Sequence, residues 1–176
     1  MVAPPFASLL SSREAPLAGK TAVIGCGQGH DAILFATHGF ETIGFDFAPS
    51  AIALGQKLSK TIGISMQFLQ RDIFALPQEF LANFDYVIKH TCFCAIHPEQ
   101  RHDYVKMVRS ILTPTGELIT LFWAHNQPDS LPFGTTLEEI QDLFASSFDT
   151  SNISPVSNSI SSRNGEKYLA RFRVLS

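Results

Sequence analysis

Four short stretches hold the residues best suited to chemistry. Gly25-Cys26-Gly27-Gln28-Gly29 stops an apolar run that begins at Thr21. Glycines let a backbone turn tightly and come close to a ligand, and the first N–H groups of a helix behind them are open to a polar or anionic group. The pattern is G-x-G-x-G, not the dinucleotide fingerprint G-x-G-x-x-G, so alone it is explained equally well by a plain tight turn. Asp46 closes a second β-like run about twenty residues further on, where a carboxylate can accept both hydroxyls of a ribose. Phe47, beside it, could cover the ribose edge. Asp72 closes a third run with Ile73 and Phe74 next to it, an acceptor for an exocyclic amine against an apolar wall, which suits adenine. His90 closes a fourth. Each aspartate by itself is more often a helix cap or a solvated loop residue. Their succession at consecutive strand ends points instead to a nucleoside.

The elements that must position these residues emerge from hydrophobic patterning. Thr21–Gly25, Glu41–Phe45, Met66–Leu69, Phe84–Ile88 and Gly116–Trp123 read as short strands. Between them, Gly29–Gly39, Pro49–Thr61, Pro98–Leu112 and Leu137–Phe144 read as helices. Gly39 serves as a C-cap, Pro49 opens a first turn, and Glu138 and Glu139 favour an N-terminal turn. Phe6–Ser12 suggests a short helix in a Pro- and Ser-containing lead-in. Asn164-Gly165 predicts a hairpin turn joining Ile153–Ile160 to Lys167–Val174. Alternating strands and helices, several strands apolar on both faces, indicate an α/β fold: a three-layer Rossmann-like sandwich with a mainly parallel sheet and an antiparallel C-terminal edge hairpin. Such sheets bind ligands beyond the carboxyl ends of their strands, where the four stretches lie.

Composition narrows the partners. The chain has 176 residues, 45% hydrophobic and 16% charged, with a formal charge of −3. That is the size of one domain, with no positive field to hold a nucleic-acid backbone. No run approaches a membrane span, and the first twenty residues lack the basic start of a secretory signal. Three cysteines, Cys26, Cys92 and Cys94, are an odd number with two nearly adjacent, which fits a reducing cytoplasm. Fifteen Phe imply a dense aromatic core or a ring-lined pocket.

VIGCGQGHD, GFDFAPSAI and QRDIFALP together resemble the class I S-adenosylmethionine-dependent methyltransferases. His90-Thr91-Cys92-Phe93-Cys94-Ala95-Ile96-His97-Pro98 and Leu112-Thr113-Pro114-Thr115-Gly116-Glu117-Leu118-Ile119-Thr120 narrow the resemblance to the thiopurine, thiol and halide methyltransferases. It implies S-adenosylmethionine as cofactor and a small soft nucleophile (a thiol, thiopurine or halide) as acceptor. It implies Gly25, Cys26 and Gly27 against the methionine part, Asp46 and Phe47 at the ribose, and Asp72 and Ile73 flanking adenine. His90 would face the methionine end and the acceptor, with Thr91 beside it as a cofactor-binding candidate; if the acceptor is a thiol, His90 is the candidate catalytic residue, taking its proton or holding the thiolate. Family members usually begin with a Trp-containing lid over the cofactor. Here Pro4-Pro5-Phe6 resembles the segment immediately C-terminal to that lid, and the only tryptophan is Trp123. Residues 1–20 are therefore expected to be a lead-in with a truncated lid, and 21–176 the methyltransferase domain. A non-catalytic or partner-dependent binding domain is the alternative.

Other readings of single residues are blander. His90, Cys92, Cys94 and His97 lack a standard zinc spacing, and no metal is expected. Asp31 favours interaction with its helix N-terminus over a reach to the cofactor's ammonium. Arg101 and Arg109 are expected on a solvated helix face. Trp123 lines the acceptor side or simply packs, and Phe133 is a candidate pocket wall.

Overall fold

A computed structural model describes residues 1–90, 93–126, 130–158 and 166–176. Among them, β1 (Lys20–Ile24), β2 (Glu41–Asp46), β3 (Gln67–Gln70), β4 (Phe84–His90) and β5 (Leu112–Trp123) form the parallel part of one sheet. β8 (Lys167–Val174) runs antiparallel to β5, and β6 (Phe148–Asp149) and β7 (Ile153–Pro155) run antiparallel to the other side of β8. The order is β3-β2-β1-β4-β5-β8-β6, with β7 beside β8. The chain thus builds outward from β1 through β2 to β3, then returns to lay β4 on the other side of β1. Strand order reverses between β1 and β4, which opens a crevice at their carboxyl ends.

Two helical layers enclose the sheet. α1 (Pro4–Leu10), α2 (His30–Thr37) and α3 (Pro49–Thr61) cover one face, where Phe6 and Phe35 pack with Val23, Phe68 and Ile88. α4 (Leu76–Phe80), α5 (Arg101–Ile111) and α6 (Leu137–Phe144) cover the other, where Phe122, Phe144 and Phe172 pack with Ala22, Ile24 and Val87. Successive strand residues point to opposite faces, so Val87 and Ile88 belong to different cores. Most of the phenylalanine load is core, and Phe47 is the exception at 77% exposed.

Several boundaries differ from the sequence expectation. The lead-in helix starts at Pro4 and buries Phe6 completely. The helix expected over Pro98–Leu112 begins with a 3-10 turn at Pro98–Gln100 and ends at Ile111, and β5 starts at Leu112 rather than Gly116. α4, five residues containing Pro77, is too short to show a periodicity. The expected hairpin arms are represented by β7 and β8, while its Asn164-Gly165 turn lies outside the described residues. None of the described helices is long and apolar enough to cross a membrane.

Candidate functional site

The turn after β1 needs glycine for backbone reasons. Gly25, Gly27 and Gly29 have φ of 59°, 53° and 83°, a region L side chains rarely adopt. The Cys26 N–H donates to the Phe45 carbonyl, and the Gly29 N–H to the Cys26 carbonyl, both at 2.9 Å. A Cβ at Gly27 would meet nothing within 4 Å, so this part of the turn borders open space. Behind it, the Phe68 ring fills a notch made by three glycines. A Cβ on Gly29, Gly44 or Gly55 would come within 2.6–2.7 Å of that ring.

Burial and the nearby Asp46 charge push the Cys26 thiol up to about 12, so this cysteine is a small packed residue rather than a nucleophile. Iodoacetamide at pH 8 is expected to leave Cys26 unmodified in the folded protein and to label it after denaturation, as read by peptide mass mapping. Labelling at the rate of a free thiol would contradict this. The folded protein also holds this proton more tightly than the unfolded chain. The resulting stability is full below about pH 9 and declines as pH climbs toward 12.

Asp46 is locked in place by the same turn. Its Oδ2 accepts the Gly27 N–H at 2.8 Å and its Oδ1 the Ala48 N–H at 3.0 Å. Asp72 fills the cap role, accepting the Phe74 N–H at 2.9 Å with one oxygen, the other having no hydrogen-bond partner among the described residues. Gly25, Asp46, Phe47, Asp72 and Ile73 come together around one cavity of about 500 Å³. Five of the residues picked from sequence, separated by up to 48 positions, therefore share a wall.

A second cavity, of about 270 Å³, shares Gly25 with the first and is lined by Cys26, Gly27, Asp31 and His90. The His90 Nδ1 lies 2.9 Å from the Asp31 Oδ2. A carboxylate only accepts, so Nδ1 carries the hydrogen, and in the tautomer this selects Nε2 is the acceptor. The other Asp31 oxygen accepts the Ala3 N–H at 2.7 Å, and the Phe6 ring stands edge-on to the imidazole at 6.1 Å between centroids. Asp31 stands in the first turn of α2, as expected, and its carboxylate also accepts from two other elements. It ties β4, α2 and the lead-in segment together. Nothing in the sequence signals this pairing, since the partners are 59 residues apart.

Other expectations are corrected or refined. Arg101 is not a solvated surface residue: it is 2% exposed, bonded to Glu139 and the Gly134 carbonyl, and lies over the Phe93 ring. The Trp123 Nε1 donates to Glu166, and its ring lies against His125, tilted by 40° with centroids 4.0 Å apart. Phe133 does line a cavity, of about 620 Å³, with His97, Arg101 and His125. That cavity contains none of the nucleoside-site candidates. Thr91 and Cys92 lie outside the described residues.

The two joined cavities fit the cofactor that the resemblance implies. A fixed carboxylate, a second carboxylate and an apolar wall border the first cavity, and the open glycine turn borders both. Among the described residues, the buried Nζ of Lys89, a residue of the first cavity's wall, has no hydrogen-bond partner. Comparison with known proteins agrees. The family model described as thiopurine S-methyltransferase matches residues 1–173. A protein of Brassica oleracea named thiocyanate methyltransferase 1 is 31% identical, over 95% of this chain and 74% of its own. A probable thiol methyltransferase 2 of Arabidopsis thaliana is 28% identical over 88% of this chain and 70% of its own. Among solved structures, the Burkholderia thailandensis 1,6-didemethyltoxoflavin-N1-methyltransferase, with 1,6-didemethyltoxoflavin and S-adenosylhomocysteine bound, superposes with a TM-score of 0.79. The match covers 98% of this chain and 78% of that one at 17% identity, a likeness of fold.

Proposed function

The chain belongs to the thiopurine S-methyltransferase family of S-adenosylmethionine-dependent enzymes, and from that premise we propose that it methylates a small thiol, with His90 taking the thiol proton. The observation that carries the choice of acceptor is the Asp31–His90 hydrogen bond. A halide or thiocyanate arrives already ionised and has no proton to give. An oriented imidazole with an acceptor Nε2 is useful to a neutral thiol.

Gly25, Cys26 and Gly27 bound the methionine end, Asp46 accepts from the ribose, and Asp72 and Ile73 hold the adenine edge. Phe47, exposed at the rim, covers the ribose side. When bound, S-adenosylmethionine supplies a methyl group on positive sulfur, which the thiolate sulfur takes in line while the C–S electron pair stays with the departing thioether. The chain's own contribution is alignment and one proton. The thiol S–H bond breaks with its electrons left on sulfur, Nε2 of His90 holds the proton, and it passes to water afterwards. Asp31 keeps the ring in the required tautomer. The odd count of three cysteines, two of them nearly adjacent, supports a reducing compartment, the cytoplasm. The alternative of a non-catalytic or partner-dependent domain has no particular observation in its favour.

The test is calorimetric titration with S-adenosylhomocysteine, then methylation of small thiols, iodide and thiocyanate by the same preparation. Binding with thiols as the better acceptors is expected. Binding with transfer to the anions alone would overturn the choice of acceptor. Asp46→Asn, which keeps one acceptor oxygen but removes the charge, is expected to weaken S-adenosylhomocysteine about tenfold in the same titration.

A further inference from the structure

Lys89 is the group that the proposed methyl transfer leaves unused. It is 1% exposed, and its ammonium is shielded from water with no hydrogen-bond partner among the described residues. Its one charge-related contact among them is the face of the Tyr104 ring, 5.7 Å from Nζ to the centroid. A buried ammonium left this way is costly to the folded protein. Lys89 is also one of the residues around the cavity of Asp46, Phe47, Asp72 and Ile73.

We propose that Lys89 is a ligand-binding residue whose ammonium leaves the Tyr104 ring and donates to an acceptor on the nucleoside half of the bound cofactor. The inference rests on S-adenosylmethionine being the occupant of the joined cavities. Strand geometry selects the half. Neighbouring residues of β4 point to opposite faces, so His90 faces the cavity of Asp31 and the glycine turn while Lys89 faces the one with Asp46 and Asp72. Both of those aspartates are acceptors, suited to the ribose hydroxyls and the exocyclic amine. Ring nitrogens and the ribose ring oxygen need a donor, and the cavity wall offers an unspent one in Lys89. The flexible four-carbon stem lets the charge move a short way while the backbone stays in the sheet.

The experiment compares wild type with Lys89→Met and Lys89→Gln by calorimetry, using S-adenosylhomocysteine and 5′-methylthioadenosine, which lacks the amino-acid tail. Lys89→Met is expected to raise the melting temperature of the ligand-free protein by about 3 °C or more, because it removes an uncompensated buried charge. It should weaken both ligands alike, by about 10- to 100-fold. Lys89→Gln, which keeps a neutral donor, should fall between. Unchanged affinity in Lys89→Met overturns the proposal. So does a loss for S-adenosylhomocysteine with none for 5′-methylthioadenosine, which would put the ammonium on the carboxylate of the tail. Wild-type protein that binds neither ligand would instead remove the cofactor assignment, and this inference with it.

Discussion

His90→Ala is expected to lower methyl transfer to a thiol by about 100-fold or more at neutral pH, while S-adenosylhomocysteine binds within about threefold of wild type. The imidazole touches the proton to be removed but is one of several groups around the methionine end, so chemistry should suffer far more than binding. Asp31→Asn is the companion variant. An amide can donate to Nδ1 and so favour the wrong tautomer, leaving Nε2 protonated and useless as an acceptor. About tenfold of the thiol rate should disappear. Iodide, which brings no proton, should be methylated by both variants at close to the wild-type rate. Equal losses on thiol and iodide would show that His90 only positions the cofactor. The Ala3 N–H on Asp31 adds a structural corollary: the lead-in segment helps to hold the carboxylate that holds the histidine.

The second large effect lies one layer below the site. Phe68 is 4% exposed, and its ring stands where side chains on Gly29, Gly44 and Gly55 would otherwise be. Phe68→Ala should cost about 3–5 kcal/mol, because a notch built of glycine backbone cannot collapse onto the missing ring. For a chain of this size that is a fall in melting temperature on the order of 10 °C. The loss should not stop at stability. Gly29 is the left-handed N-cap of α2 and the last glycine of the turn, so removing its backing should also weaken S-adenosylhomocysteine. Phe68→Leu, which fills part of the notch, should recover part of both. Melting curves and calorimetry on the two variants read this directly, and a stable Phe68→Ala protein with unaltered affinity would refute the linkage. The reverse experiment, Gly55→Ala, places a Cβ 2.7 Å from the same ring and should also destabilise.

The amino-acid sequence by itself determined the layered α/β plan and the residues at the strand tips. Runs such as Thr21–Ile24 and Leu118–Phe122 can be buried on both faces only in the middle of a sandwich, and glycine or aspartate just beyond such runs is a local signal. That is why Gly25, Gly27, Asp46, Asp72 and Ile73 could be named before any fold was known, with the family resemblance assigning their parts. It did not reveal α4, whose five residues are too few for a period, or where the helix from Pro98 becomes β5. Tertiary structure alone decided the contacts between distant residues. Asp31 reads locally as a helix-start carboxylate, and only the laying of β4 beside β1 brings His90 to it. Arg101 reads as a surface cation until α6 and the segment before it close over its guanidinium. Lys89 reads as an ordinary strand lysine, and only the side of β4 on which it falls buries its charge beside the cavity of Asp46 and Asp72. Propensity and patterning act between neighbours along the chain, whereas charge pairing and burial depend on what the fold brings from elsewhere.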